Sequence, residues 1–178
     1  MPEVADTTGL EERLVPRLAS AADVPELVRL RRIIFEGHPA DHRVEWVEHC
    51  SEYLRERLDR DAPTLCAAVI GDPRPGGRLA ACAVGWIDHH LPSPVSELGT
   101  LGYIGSVTTD AGYRGRGLAT RVLALLMEWF EQQGVPRVEL QTTPDAFALY
   151  RRFGFEELST PAMRWYRGGR PWAAEEPA

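Results

Sequence analysis

Apolar positions along the chain switch between strand spacing and helical spacing, and each switch marks an element. Residues 13–19 (RLVPRLA) alternate loosely as a short strand would, and Pro16 confines that strand to an edge or a bulge. Leu27, Leu30, Ile33 and Ile34 then form a helical stripe with Arg29, Arg31 and Arg32 largely on its other side. Asp23 and Glu26 make a capping box at the start of that helix, and Gly37 ends it. A second helix over residues 44–58 carries Val47, Cys50, Leu54 and Leu58 at helical spacing, with Trp46 and Tyr53 beside them. Residues 64–70 and 79–87 are β-compatible runs on either side of GDPRPGG, which predicts an antiparallel hairpin. Residues 101–109 predict the next strand, and Leu118, Val122, Leu125, Leu126 and Trp129 place a third helix over residues 118–133. A strand over 135–142, a short helix (AFALYRRF) closed by Gly154, and a terminal hairpin of residues 155–158 and 163–167 complete the pattern. The order β-α-α-β-β-β-α-β-α-β-β predicts an α/β (α+β) fold: a mixed, mostly antiparallel central sheet of six to seven strands with helices on both faces.

Length sharpens this picture. The 178 residues suit one domain with a sizeable core, expected over residues 13–167, between polar ends at 1–12 and 168–178 that lack periodicity. No apolar run approaches the roughly 18 residues of a membrane span, and the first residues have neither a basic region nor an apolar core of a leader, so a cytoplasmic location is expected. Cys50, Cys66 and Cys82 are odd in number and without metal-ligand spacing, and read as buried free thiols. A formal net charge of −6 argues against general nucleic-acid binding and favours a cationic acceptor such as an amine. The chain has no lysine, so all of its 20 basic residues are arginines.

The chemistry concentrates where the strand at 101–109 runs into the third helix through GSVTTDAGYRGRGLA. The first amides of a helix have no intrahelical partner and lie at the positive end of its dipole, a ready anion site. Gly115 and Gly117 remove the Cβ atoms that would hold a phosphate away, and Arg114 and Arg116 add positive charge. The P-loop pattern is excluded for want of a lysine, and the dinucleotide pattern G-x-G-x-x-G/A meets Thr120 at its last position. Arg114-x-x-Gly117-x-Ala119 fits R/Q-x-x-G-x-G/A, and farther along stands Ala146-x-x-Leu149-Tyr150-x-x-x-Gly154-Phe155.

These two motifs, in this order and about thirty residues apart, resemble the pyrophosphate loop and the A-x-x-L-Y-x-x-x-G-F signature of the GCN5-related N-acetyltransferase (GNAT) family, and the element order agrees from about residue 13 to 167. The resemblance implies a GNAT-like sheet whose fourth and fifth strands, here 101–109 and 135–142, splay apart to admit the pantetheine arm of acetyl-coenzyme A. It implies that backbone groups of Val107 and Thr109 run beside that arm. The amides of Arg114, Gly115, Arg116, Gly117, Leu118 and Ala119 would hold the pyrophosphate, and Tyr150 would protonate the leaving thiolate. Where the family often has an asparagine contacting pantetheine, this chain has Thr143, which supplies one weaker hydrogen bond. The implied activity is transfer of an acetyl group to a primary amine of a small-molecule or peptide acceptor, in a ternary complex without a metal; charge and hydropathy argue against a nucleic-acid or membrane partner, and a homodimer is left open. A non-catalytic acyl-coenzyme A-binding module on the same fold is the alternative.

Acyl transfer to an amine needs a base, a donor for the oxyanion and a proton for the thiolate. The amide of Val107 suits the oxyanion. No acid lies on the fourth strand, so the base is sought among Glu36, His38, Asp41 and His42 between the first helices, Asp88, His89 and His90 after the third strand, and Glu139 on the fifth. Glu139 is the sharpest of these, since a strand inside the sheet would bury it, while pairing with Arg137 or Arg164 would commit it elsewhere. Phe35, Glu36, Trp46, Trp86 and Asp88 are the residues expected around an acceptor amine.

Overall fold

The structure, a computed structural model, describes residues 14–38, 40, 43–58, 60 and 63–167. The expected ragged ends at 1–12 and 168–178 fall outside the described residues, as do Asp41 and His42. Five strands, β1 (Pro16–Leu18), β2 (Leu65–Gly71), β3 (Leu79–His89), β4 (Thr100–Thr109) and β5 (Val138–Leu140), lie in the sheet in chain order. The first three junctions are antiparallel, and β4–β5 is parallel. Helices α1 (Val24–Ile34) and α2 (Glu45–Leu58) cover one face, while α3 (Leu118–Gln132) and α4 (Phe147–Arg152) cover the other.

β2 reads as an unbroken apolar run because both its faces are covered. Leu65, Ala67 and Val69 join Leu27, Leu30 and Leu54 under α1 and α2, and Cys66, Ala68 and Ile70 join Val122, Leu126 and Phe130 under α3. Each fully buried Leu, Ile or Phe side chain contributes about 1.5–3 kcal/mol. Two glycines on adjacent strands let the Phe130 ring rest on the sheet: a Cβ at Gly85 or Gly102 would come within 2.8 Å of it. Pro16 sits on the edge strand β1, where its missing donor is harmless.

Three expectations are corrected. The sheet has five strands among the described residues, because residues 155–158 and 161–166 form no ladder. Pro161 has no amide to donate, Glu156 and Glu157 put two adjacent charges where one side chain would have to face inward, and β5 offers only three residues to pair with. Leu158, Met163 and Trp165 accordingly stay exposed. The capping box sits three residues earlier than expected, at Ser20 and Asp23: the Asp23 carboxylate accepts from the Ser20 amide at 2.9 Å and pairs with Arg17 at 2.7 Å. Glu26 instead accepts from Arg29 at 2.9 Å and from the Leu79 amide at 2.9 Å, tying α1 to β3. Arg29 and Arg31, expected on the solvent side of their helix, turn toward the sheet, Arg29 to Asp110 just after β4 and to Leu79 O on β3, Arg31 to Gly105 O on β4.

Candidate active site

The strand β4 changes its facing halfway along. The Gly102 amide donates to Arg137 O at 2.9 Å, toward β5, whereas the Asp110 amide donates to Ala80 O at 2.9 Å, toward β3. Both residues are even-numbered, so one extra residue must intervene, and the register does shift: Val84 pairs with Ser106 but Gly85 with Ile104. The bulge falls at Gly105. Its backbone lies against Trp86 so closely that a Cβ there would sit 2.3 Å from the indole. Arg31 of α1 pins the bulge, with Nη1 donating to Gly105 O at 3.2 Å and to Ser106 Oγ at 2.5 Å.

The bulge has two consequences. Strand alternation beyond it turns the amides of Val107 and Thr109 away from β3, toward the β5 side. On that side no partner meets them among the described residues, because pairing with β5 ends at Ile104↔Leu140 while β4 continues to Thr109. A gap therefore opens between β4 and β5 beside the Val107 and Thr109 amides, while Thr109 O accepts from Arg114 Nε at 3.4 Å.

At the mouth of the gap the chain turns through a short 3-10 turn, Ala111–Tyr113, into α3. Gly115 and Gly117 have φ +77 and +70, left-handed values that side chains resist, and a Cβ at either would meet nothing within 4 Å. The space in front of them is open. The helix that follows has no acidic residue in its first turn, unlike α1 with Glu26 and α2 with Glu45 and Glu48. Its dipole is thus uncompensated from within. Arg116 Nη1 is closed off from solvent and has no hydrogen-bond partner among the described residues. A buried guanidinium nitrogen is costly to leave unpaired, so an anion at this turn fits the residues present.

Tyr150 is buried at 8% exposure in α4, edge-on to Phe155 at 5.8 Å. Burial pushes its hydroxyl above the ordinary tyrosine range, so it keeps its proton at neutral pH. Tyr150, Glu139 and Thr142 line one cavity of about 240 Å³. Glu139 is not inside the sheet as expected, because β5 is its edge; the carboxylate is 32% exposed and pairs with Arg137 at 3.2 Å. Thr143 is exposed, and its side chain makes no capping bond to the turn Pro144–Ala146 that it precedes.

The other expected residues separate into two groups. Phe35, Glu36 and Trp46 meet in a cavity of about 530 Å³ beside the turn, the two rings 5.5 Å apart. Arg29, Arg32 and Arg114 line the same cavity, a local charge that the overall balance of the chain did not reveal. Trp86 is elsewhere, against Tyr103 at 5.0 Å and donating to Asp88 at 2.9 Å. Asp88 pairs with Leu101 and His89 with Thr100, at the end of β4 roughly 25 Å from Thr109. His38 is half-buried and accepts from the Ala40 amide at 3.1 Å through Nδ1.

Four residues escaped the sequence reading: Arg31 and Ser106 at the bulge, and Asp72 and Tyr113, whose side chains join the β2–β3 turn to the glycine turn. The only hint was that Tyr113 stands immediately before the R-x-x-G motif.

The family model described as acetyltransferase (GNAT) family matches residues 28–155. Glucosamine 6-phosphate N-acetyltransferase 1 of Oryza sativa subsp. japonica is 30% identical over 89 residues, 50% of this chain and 52% of that protein. An uncharacterized N-acetyltransferase of Methanocaldococcus jannaschii is 28% identical over 116 residues, 64% of this chain and 46% of that protein. The chain thus spans about half the length of these curated relatives. Among solved structures, a predicted acetyltransferase from Clostridium acetobutylicum crystallised with acetyl-CoA shares the fold at TM-score 0.72 and 19% identity, covering 84% of this chain and 94% of that one.

Proposed function

Because the chain belongs to the acetyltransferase (GNAT) family, we propose that it moves an acetyl group from acetyl-coenzyme A to a primary amine by direct transfer in a ternary complex. The observation that carries this reading is the turn into α3: two left-handed glycines facing open space, a helix start without its own carboxylate, and the unpartnered Arg116 Nη1. The solved relative bound to acetyl-CoA and the family's two motifs support the same donor.

The residues divide the work as follows. Amides from Arg114 to Ala119 hold the pyrophosphate, and Thr143 offers one hydrogen bond to the pantetheine arm. Val107 and Thr109 line that arm with backbone groups, and the Val107 amide faces the oxygen that gains charge as the amine attacks. The new C–N bond forms, the C–S bond breaks, and the thiolate takes its proton from Tyr150, which is protonated at neutral pH. Glu139, in the same cavity, receives the proton lost by the amine, directly or through one water.

The acceptor is a small-molecule or peptide amine. The rice relative carries glucosamine 6-phosphate in its name, and one protein of similar fold is an aminoglycoside N-acetyltransferase. Both make amino sugars the first compounds to assay, ahead of amino acids and peptide N-termini. Calorimetry with coenzyme A tests the donor reading. The wild type should bind, and Gly117→Glu should abolish binding by straining a left-handed backbone and placing a carboxylate where the phosphates lie. No binding by the wild type would overturn the function. Binding without free-thiol release across the amine panel would favour the non-catalytic module instead.

A further inference from the structure

We propose that Asp72, on the turn between β2 and β3, is a positioning residue for the coenzyme phosphates, acting through Tyr113 and Arg116. The inference rests on the coenzyme reading above and concerns how the phosphate turn is kept in shape.

Asp72 is far from Tyr113 in sequence but joined to it in space. Its side chain is 4% exposed and is built into the β2–β3 turn: the Asp72 amide donates to Arg78 O at 2.9 Å, and Gly77 crosses so close that a Cβ there would lie 2.8 Å from Asp72 Cβ. The carboxylate accepts from Arg74 through Nε at 2.8 Å and through the Arg74 amide at 3.0 Å. It also accepts a short hydrogen bond from the Tyr113 hydroxyl, and Arg74 Nη2 donates to that same hydroxyl oxygen at 3.0 Å. Tyr113 is therefore fixed by a carboxylate and a guanidinium together.

Tyr113 closes the 3-10 turn that leads directly into Arg114–Gly117. Its ring lies under the Arg116 guanidinium, 5.6 Å from Cζ to ring centroid, and Arg116 is the side chain with the buried, unpartnered Nη1. The other end of the turn is held independently: Arg29 of α1 donates to Asp110 at 2.6 Å, and Asp110 accepts from the Gly112 amide at 3.2 Å. Residues 110–113 are thus clamped at both ends by side chains from distant elements. Only the stretch 114–117, with its two permissive glycines, is left to meet a ligand. Two free glycines would make that stretch an ensemble, and ordering it on binding would weaken affinity. The clamps remove much of that penalty, and Asp72 sets the ring on which the anion-facing arginine rests.

The test uses the full chain and two probes: coenzyme A, and pantetheine, which is the same arm without phosphates. In Asp72→Ala, calorimetry should give a coenzyme A Kd raised about tenfold, the effect of losing a preorganised anion contact, with the pantetheine Kd within about twofold of wild type. Unchanged coenzyme A affinity would overturn the proposal, and so would equal weakening of both probes, since that is what general loosening of the hairpin would produce. Should Asp72→Ala fold poorly, Tyr113→Phe keeps the ring under Arg116 and removes only the hydroxyl; it should show the same selective loss, and wild-type affinity for coenzyme A would refute the idea. A wild type that binds coenzyme A while both variants bind it equally well sinks this inference alone. A wild type that binds no coenzyme A sinks the function with it.

Discussion

The two walls of the gap are built differently. β4 is ten residues long, and its bulge is pinned by Arg31, its end by Arg29 through Asp110, and the turn beyond it by Asp72 through Tyr113. β5 is three residues long, all half-buried, on an edge whose next segment leaves Leu158, Met163 and Trp165 exposed. One wall is held by three cross-links from two separate elements, α1 and the β2–β3 turn, and the other by a single short ladder. The difference matches a division of labour. A donor with fixed phosphates rewards a rigid cradle, because preorganised groups bind without first being ordered. On the proposed function, the side that would accept a second substrate and release a product is the less constrained one.

This contrast is breakable by experiment. The largest effect should come from Tyr150→Phe, in α4 and lining one cavity with β5: kcat for acetyl transfer should drop about 10²-fold, within the usual range for general acid–base groups, with coenzyme A affinity nearly kept. Glu139→Gln, also there, should lower kcat by less than about tenfold, since water can substitute for a half-exposed carboxylate. Full activity in Tyr150→Phe would remove the assigned acid and with it the chemistry from that cavity.

On the rigid wall, Gly105→Ala should act through stability. Its Cβ would sit 2.3 Å from the Trp86 indole, overpacking of the kind that costs about 1–3 kcal/mol, and a chain of this size should lose several degrees of Tm. If the melting temperature holds, the bulge is softer than its contacts indicate.

The smallest effect is the pH dependence of the clamps. Arg74, then the Tyr113 hydroxyl, hold the Asp72 carboxyl below the usual carboxylate range. Burial works against the charge of Asp110, but the Arg29 guanidinium and the Gly112 amide outweigh it and also hold that carboxyl low. A carboxyl lowered by folding binds protons more readily in the unfolded chain, so stability falls as pH drops. The contribution is complete above about pH 4, the ordinary carboxylate value, and is lost as pH falls through the lower folded values. Urea unfolding between pH 6 and 3 should show this decline, and Asp72→Ala should flatten part of it. An unaltered acid limb in that variant would mean the clamp carries no net stability.

The order of helices and the first four strands was legible along the chain, because apolar periodicity is a local property and the glycine turns stand out. β2 and β3 flank GDPRPGG as expected, and α3 begins at Leu118 directly after the glycine pair. The R-x-x-G-x-A and A-x-x-L-Y motifs were legible for the same reason: each is one short stretch of backbone whose residues act together. What the sequence could not supply was anything that joins distant stretches. Whether residues 155–158 pair with β5 depends on an edge only the folded sheet defines, and they do not. That Arg29 and Arg31 turn inward depends on Asp110 and the Gly105 carbonyl being beneath α1, 81 and 74 residues away in the chain. That Asp72 holds Tyr113 depends on two turns meeting across 41 residues. Periodicity and motif spacing determined the helices, the first four strands and the glycine turn before α3, since all are written in neighbouring residues. Tertiary structure alone decided how that turn is held, because a carboxylate or guanidinium finds its partner only after the sheet has brought the two together.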